Sequence, residues 1–408
     1  MSTFTESAHA HLSSHVDESR RDVWTAFTTI GLPTTVDEVW RYAPLHTFAL
    51  ESYELSPDAP QPTLAPVAEA LRQRAGVVVS IVNGRLADVQ GAADGLTVTQ
   101  SAVPASETSA RYGADAFALL NCALTPNTIT IAVAPKAVIE QPVLVVSSTT
   151  SGASFPQVRV ELGASSACTI IEYVDGGASS LVVPLTEFHV GENASLQMTT
   201  YQRLDTTAWH VARTTAFLQR DARMRQSVIS LGGHYNRSRN DAEIVGTGAE
   251  NELRTTFLGT GEQVHDFRTR QFHRIGRSHS VLLSKGAVAD NARSIYTGLI
   301  EIEKGAKRTD ARQTNHNLLL SPHAHADSVP NLDIRENDVV CAHASSVGPL
   351  DELQRWYLES RGVSRHDAER LMIQGFFYEM LASLGPELAG VVEADLADTL
   401  AAVNVVTP

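Results

Sequence analysis

The chain has 408 residues, of which 43% are hydrophobic, 19% are charged and only 6% are aromatic, a composition typical of a folded soluble protein rich in strands. Its net charge of -14 argues against nucleic acid as a partner, because such binding depends on Lys and Arg neutralising phosphates. The sequence contains neither an apolar run of about 18 residues nor an N-terminal signal segment, so we expect neither a membrane span nor secretion.

The cysteine content indicates a reducing compartment. Three cysteines, Cys122, Cys168 and Cys341, do not form a disulfide framework in so long a chain, and the cytoplasm is the expected location. Cys122 and Cys168 lie among apolar neighbours, and we expect both to pack in the core. Cys341 differs from them, because His343 follows it two positions later.

The N-terminal region, residues 1–75, is predicted to be helical with breaks. Apolar residues recur at helical spacing after Arg20, and Gly31-Leu-Pro33 ends that helix. A further short helix is predicted at Val67–Arg74. The strand-rich part of the chain begins only after this region.

Residues 76–345 are predicted to form a β core that no long helix interrupts. Short β-rich runs recur there between Gly, Asn and Asp residues, and connectors such as Gly191-Glu-Asn193 favour a parallel β-helix over a sandwich or a barrel. No fixed repeat length can be counted. The predicted strands are Val77–Val82, Thr128–Val133, Val143–Ser147, Val158–Leu162, Cys168–Val174, Phe188–Val190, Ser195–Tyr201, Arg223–Leu231, Leu253–Leu258, Ser280–Leu283, Ser294–Ile302 and Asn317–Leu320.

The C-terminal region, residues 346–408, is predicted to be helical again. Asp351 caps a first helix, and Ser364 begins a second one with Asp367 at the capping-box position. Apolar residues at three- and four-residue steps give an apolar face, which suits either the core of the chain or a docked partner. The candidate docking residues are Trp356, Tyr357, Leu371, Met372, Phe376 and Met380.

The candidate chemical site is the pair Cys341 and His343. Side chains at positions i and i+2 of a strand point to the same face, and thiolate and imidazole both bind iron. The alternative is that this pair only packs. His323, His325 and Asp327 repeat the same spacing and would place three ligand groups on one strand face, although their Ser and Pro neighbours favour a solvated loop.

Enzymatic alternatives find little support in the sequence. His265, Asp266 and His273 suggest acid–base chemistry, and a β-helix invites comparison with polysaccharide-cleaving enzymes. Those enzymes need two carboxylates that face one sugar bond, whereas the acidic residues of these strands occur singly. No Walker A, Gly-x-Ser-x-Gly or His-Glu-x-x-His motif is present, so we expect a protein without catalytic activity of its own.

Several segments carry a family resemblance. They are Trp40-Arg-Tyr42, Asn291–Gly298, Val340-Cys-Ala-His343, Gly348-Pro-Leu-Asp-Glu352 and Tyr357-Leu-Glu-Ser-Arg-Gly362. Together they resemble the SufB/SufD family of iron–sulfur cluster assembly proteins over nearly the whole chain. The resemblance implies a mainly β fold, in which a right-handed parallel β-helix lies between N-terminal and C-terminal α-helical regions.

Within that family the chain is similar to the SufD branch. SufB chains carry Glu where this chain has Ala344, and a sulfur-accepting Cys where this chain has Asn315. An amide cannot replace a thiolate nucleophile, so this chain is not expected to receive sulfur itself. The alternative is a SufB-like paralogue that acts as the cluster scaffold.

The resemblance also implies partners and a cargo. It implies a non-catalytic scaffold subunit that pairs with SufB through its β-helix and docks the SufC ATPase on its C-terminal helices. A transient iron–sulfur cluster shared with SufB would form near Cys341 and His343, and ATP-driven closure of SufC would move that subunit boundary. The sequence leaves open whether His323 and His325 contact iron, whether a reduced flavin binds the complex and whether the isolated chain forms a homodimer.

Overall fold

The computed structural model of the chain describes residues 3–14, 18–58, 64–101, 113 and 115–401. They form a parallel β-solenoid of about eight turns with helices at both ends, so the predicted fold class is confirmed. Residues 1–2, 15–17, 59–63 and 402–408 of the predicted helical ends lie outside the described residues.

The helices cluster at the two ends of the chain, with one exception inside the β region. The α-helices are α1 (Phe4–Ser14), α2 (Glu18–Ile30), α3 (Pro66–Arg72), α4 (Ala116–Leu124), α5 (Glu352–Ser360), α6 (Arg365–Leu381) and α7 (Pro386–Ala401). Short 3₁₀ helices lie at Glu38–Trp40, Leu45–Thr47, Leu50–Ser52 and Ala382–Leu384. A membrane crossing is not supported by any helix of the described residues, since none combines the required length with sufficient apolar character.

The strands belong to two sheets, and from Leu185 onward successive strands alternate between them. The strands are β1 (Val77–Val82), β2 (Arg85–Gly91), β3 (Leu96–Ser101), β4 (Thr128–Val133), β5 (Val143–Thr149), β6 (Ala153–Ser154), β7 (Gln157–Leu162), β8 (Ala167–Gly176), β9 (Leu181–Val182), β10 (Leu185–Val190), β11 (Ser195–Gln202), β12 (Trp209–Leu218), β13 (Arg223–Ser230), β14 (Tyr235–Ile244), β15 (Glu250–Gly259), β16 (Val264–His273), β17 (His279–Val288), β18 (Arg293–Ile302), β19 (Asp310–Leu319), β20 (His325–Ile334) and β21 (Val340–Gly348). One sheet ends in β20 and the other ends in β21.

Successive coils differ in length. Along one sheet, Trp209 pairs with Tyr235, Tyr235 with Val264, Val264 with Arg293, and Arg293 with His325. The number of residues between one partner and the next is not constant along the sheet. Unequal coils explain why no fixed repeat is visible in the sequence, although the strands themselves are.

The two ends of the solenoid are built differently. At the first end, β2 and β3 pair antiparallel with β1 and β4 and so extend the sheets beyond the first coil. At the other end, β20 and β21 are the terminal strands of their sheets, and most of their residues are exposed or partly exposed. Edge strands present unpaired backbone groups, which can act as a template for another chain. The last coil is therefore an open end.

An unpredicted helix, α4, interrupts the β region and corrects the expectation of an uninterrupted run of strands. Asp115 caps it by accepting from the backbone N–H of Ala118, and every residue of the helix is buried, including Cys122. It packs with α1 and α2 against one face of the solenoid. A helix that is apolar all round shows no amphipathic period, which is why the sequence pattern did not reveal it.

The C-terminal helices cover the outer face of the other sheet. Ile373 and Phe377 of α6 join Tyr201 and Leu258 of the sheet in one apolar cluster. The predicted Ser364 cap is present, with Ser364 accepting from the N–H of Asp367, whereas the Asp367 carboxylate accepts from the Ser364 hydroxyl at 2.6 Å. Burial of this apolar surface, worth about 25 cal/mol for each Å², holds the helices on the sheet.

Candidate functional site

Cys341 and His343 lie on β21, the terminal strand of the open end. In the parallel pairing with β19, Cys341 lies beside Ala311 and His343 beside Gln313. Both β19 residues are buried in the interior of the solenoid, called the lumen below, so their β21 neighbours share that luminal face. The predicted geometry of the pair, two positions apart on one strand face, is therefore present. His343 is exposed and Cys341 is partly buried.

Cys341 has the surroundings of a protonated thiol. Its side chain packs against a small apolar cluster formed by Ile300, Ile302, Ala306 and Ala311. Burial raises the pKa of the Cys341 thiol above its ordinary value, and the nearby Asp310 carboxylate raises it further. Because the thiolate is the metal-binding form, Cys341 needs a cation or a partner's positive charge beside it before it can act as a ligand.

Polar side chains continue the luminal face below this pair. Asn315, at the position where SufB chains carry Cys, is fully buried and donates from Nδ2 to the Ser328 hydroxyl at 2.9 Å. The Ser345 hydroxyl lies 2.7 Å from Ser328 and joins the two terminal strands across the lumen. Asn315 thus has a hydrogen-bonding role inside the coil and offers no nucleophile.

The second candidate set, His323, His325 and Asp327, is not brought together as a metal site. His323 lies in the turn before β20, whereas His325 and Asp327 lie on the strand, so the solvated-loop interpretation is wrong for those two residues. His325 Nε2 is 3.4 Å from Asp327 Oδ1, and Arg293 holds the same carboxylate at 2.6 Å. In the described part of the chain, no three His, Cys, Asp or Glu side chains are grouped to hold a metal ion.

The residues that suggested acid–base chemistry are buried in the solenoid. His265, Asp266 and His273 are fully buried. Asp266 accepts from Arg237 at 2.6 Å and from Arg268 at 2.9 Å, which makes it part of an ion-pair network. His265 and His273 face the lumen, whereas Asp266 lies on the opposite face of β16 beneath the N-terminal segment, so none of the three has access to a substrate.

The C-terminal candidates divide by exposure. Trp356, Tyr357 and Leu371 are 66%, 55% and 50% exposed, whereas Met372 and Phe376 are partly buried and pack toward the sheet. Met380 is buried, which corrects its assignment to a docking surface, because its side chain faces into the chain. The face that α6 turns to the core therefore overlaps the predicted apolar face, and Leu371 is the α6 candidate that lies outside it.

Helix α5 carries an apolar stripe that faces solvent. None of its residues is buried, and Leu353, which the sequence analysis did not select, is more exposed than Trp356. Leu353, Trp356 and Tyr357 follow the i, i+3, i+4 spacing of one helix face. The opposite face holds Arg355, which lies 3.7 Å from the buried Glu369 of α6. An exposed aromatic stripe of this kind is typical of a protein-binding surface.

An open-ended β-solenoid with helices on its outer faces and a Cys–His pair on its last strand defines the class of this protein. Residues 145–376 match the family model described as SUF system FeS cluster assembly, SufBD core domain, and the chain belongs to this SufB/SufD family. Its role therefore lies in iron–sulfur cluster assembly.

Individual relatives agree with this assignment. The chain is 28% identical to the iron–sulfur cluster assembly protein SufD of Escherichia coli over 378 residues, which cover 88% of this chain and 86% of that protein. It is 34% identical to SufD of Bacillus subtilis over 204 residues, 49% of this chain and 46% of the relative. An iron–sulfur cluster assembly SufBD family protein of Mycobacterium tuberculosis is 33% identical over 242 residues, 57% of this chain and 60% of the relative. The predicted SufD branch is confirmed.

Proposed function

We propose that this chain is the non-catalytic scaffold subunit of a SufBCD-type complex, in which it pairs with SufB and docks the SufC ATPase. The observation that carries the proposal is the exposed luminal face of β21, where Cys341 and His343 stand at an open edge of the solenoid. The two side chains are too few to hold a cluster alone. The missing ligands would come from the subunit that covers this edge.

Pairing with SufB through the last coil is supported by the unpaired outer sides of its two strands. β20 and β21 each lack a strand neighbour on one side in the described residues, and an added strand would satisfy their free backbone groups. The same edge exposes apolar side chains, which favours burial against a partner over contact with solvent. The exposed apolar residues of the two strands are Val329, Leu332, Ile334, Val340 and Val347.

Docking of SufC is proposed on helix α5. Its exposed stripe combines one aliphatic and two aromatic side chains, and Trp and Tyr supply a large share of binding energy at interfaces. The α6 helix beside it is tied to the solenoid, since Lys285 Nζ lies 2.8 Å from Glu379 and donates to the Phe376 carbonyl at 3.2 Å. A force applied at α5 would therefore be transmitted to the sheet that contains β21.

The nascent cluster is the cargo of the proposed complex. His343 would supply an imidazole nitrogen to iron, and Cys341 would become a ligand once iron or a partner's charge lowers the cost of its thiolate. The chain carries no nucleotide-binding motif, so ATP hydrolysis is assigned to SufC.

The first test replaces His343. In a complex reconstituted with SufB and SufC, we expect His343→Ala to lower the yield of iron–sulfur cluster about tenfold or more, since a cluster-site group is lost. The yield is measured by visible absorbance and by iron and sulfide content. The control is His325→Ala, an exposed histidine of the neighbouring edge strand. A wild-type yield from His343→Ala would remove this residue from the mechanism.

The second test addresses SufC docking. Trp356→Ala should weaken SufC binding by at least about tenfold, as expected for truncation of an aromatic hot spot, without altering the fold, because the side chain is exposed. Titration calorimetry measures the affinity, and Val138→Ala is the control for loss of an exposed apolar side chain elsewhere. An unchanged affinity would show that SufC docks on another surface.

A second candidate function is favoured by the apolar surroundings of Cys341. In this alternative the chain is an interaction subunit only. Cys341 and His343 pack at the interface, and the function of the chain is to bind SufC through its C-terminal helices. The two tests separate the candidates. An interaction subunit would lose function with Trp356→Ala and keep its cluster yield with His343→Ala.

A further inference from the structure

We propose that Gln313 is a positioning residue for His343. In the assembled complex its side-chain oxygen would accept a hydrogen bond from one nitrogen of the imidazole and so direct the other ring nitrogen toward the iron of the nascent cluster. The inference rests on the proposed function and extends it to a residue for which neither the family match nor the sequence pattern suggested a role.

The strand register places the two residues together. Gln313 on β19 lies directly beside His343 on β21 in parallel pairing, at the usual interstrand distance of about 4.8 Å. Both occupy the luminal face, with Gln313 one coil below the open end. The imidazole therefore stands immediately above the amide in the stack of coils.

The amide of Gln313 lacks hydrogen-bond partners within the described chain. The residue is 1% exposed, and neither Oε1 nor Nε2 has a partner among the described residues. A buried polar group left without a partner costs free energy. In a folded protein such a group usually forms a hydrogen bond with water, an ion or another residue. The next luminal residue along the strand, Asn315, is only half satisfied, since its Nδ2 donates to Ser328 while its Oδ1 has no partner among the described residues.

The surroundings of the amide leave one direction for a side-chain partner. Below it in register lies Leu282, which has no side-chain hydrogen-bonding group. Across the lumen lies Gly298, where an added Cβ would be only 2.4 Å from Oε1 and 2.5 Å from Nε2 of Gln313. Above Gly298 lies Pro330, which has no N–H to donate. His343, above Gln313 itself, is the remaining register neighbour that carries a side-chain donor.

The chemistry of a metal-binding imidazole requires such a partner. A histidine that binds metal through one nitrogen keeps the other protonated, and an acceptor for that N–H fixes the tautomer and the ring orientation. An amide is a neutral acceptor, so it orients the ring without adding negative charge to the lumen. The small Gly298 provides the space in which this amide is held.

The test combines Gln313→Leu with His343→Ala in the reconstituted complex. We expect Gln313→Leu to lower the cluster yield about tenfold, the usual scale for loss of a group that orients a metal ligand. In the His343→Ala background the same change should cause no further loss, because Gln313 acts through His343. Gly298→Ala, whose new Cβ displaces the amide, should act in the same direction.

A second readout is the melting temperature of the full isolated chain. Gln313→Leu should leave it unchanged or raise it, because leucine removes an unpaired buried amide. Gln271→Leu is the matched control, since Gln271 is a luminal amide as deeply buried but remote from β21, and it accepts from Asn251 at 2.7 Å. That control should lower the melting temperature and keep the cluster yield.

Each of the remaining outcomes would contradict either the positioning role of Gln313 or the cluster site itself. If Gln313→Leu keeps its yield while His343→Ala loses it, the positioning role is wrong and the proposed function stands. If both variants keep wild-type yield, the cluster site is wrong as well. A lower melting temperature of Gln313→Leu, or a further loss in the His343→Ala background, would assign Gln313 a structural role instead. Where His343→Ala leaves no measurable cluster, the melting temperature decides.

Discussion

The free energy of unfolding of the isolated chain should fall by about 4 kcal/mol between pH 7.5 and pH 5. Three buried histidines cause the loss. Burial lowers the pKa of His210 to about 4, that of His265 to about 3 and that of His273 to about 4. The unfolded chain binds protons at these side chains below about pH 6.5, while the folded chain stays neutral until much lower pH. Each therefore destabilises the fold by roughly 2 kcal/mol at pH 5.

One buried carboxyl group opposes this trend. Burial raises the pKa of Glu172 to about 7, although the Thr200 hydroxyl lowers it in part. A carboxyl group with a raised pKa stabilises the fold most below its unfolded pKa and loses that contribution as the pH rises through 7. Acidification from pH 7.5 to pH 5 thus recovers roughly 2 kcal/mol at Glu172, against roughly 6 kcal/mol lost at the three histidines.

Urea unfolding at pH 7.5, 6 and 5, followed by circular dichroism, measures this balance. His265→Phe should remove about a third of the histidine contribution, because phenylalanine cannot be protonated and an aromatic ring at this position can keep the stacking on Phe257 at 5.5 Å. Glu172→Gln should increase the loss of free energy of unfolding on acidification, because it removes the carboxyl group that opposes the histidines. His366→Gln, at an exposed position, is the control. A stability independent of pH across this range would contradict the assignment of neutral buried imidazoles.

Asp266→Asn should lower the free energy of unfolding by about 3–5 kcal/mol, the range for breaking a buried ion pair. Asp266 is fully buried and accepts from the Arg237, Arg268 and Tyr235 side chains. Burial is the largest single influence and acts to lower the pKa of Arg237, but Asp266 and Tyr235 together outweigh it and raise this pKa. Without that charge, the two guanidinium groups would remain buried with too little negative charge beside them.

The same network attaches the N-terminal segment to the solenoid. Arg237 donates to the Val39 carbonyl at 3.1 Å, and its guanidinium lies 3.8 Å above the ring of Trp40. Asp266→Asn should therefore increase proteolysis near residue 39 as well as lowering stability in urea. The control is Asp333→Asn, which removes an exposed, solvent-screened pair with Arg335 and should leave the free energy of unfolding nearly unchanged. Equal losses from both variants would contradict the importance of burial.

Three strands that carry polar luminal residues were not visible in the sequence. Thr128–Val133 was predicted with the bounds that the structure has, and β12, β14 and β16 were missed. The luminal positions of these three strands carry residues such as His210, Asn236 and Gln271, which interrupt the apolar alternation. Such residues are stable inside because neighbouring coils supply partners, as Asn236 does for His210 at 2.6 Å.

The helical candidates show a related limit. Apolar spacing identified α6 but selected Leu371 and Met380 together, although one is half exposed and the other is buried. Hydropathy along one helix does not tell which side meets the sheet when apolar residues occur on several sides.

By itself, the sequence determined the order of helical, β and helical regions, the caps at Asp351 and Ser364, and the shared strand face of Cys341 and His343. These features depend on neighbours a few residues apart, for which strand and helix periods are sufficient. Only the tertiary structure decided that this face stands at an open end, and that Gln313 lies beneath His343. The physical reason is that stacking joins residues about a whole coil apart, and coils of unequal length conceal that pairing from any local pattern.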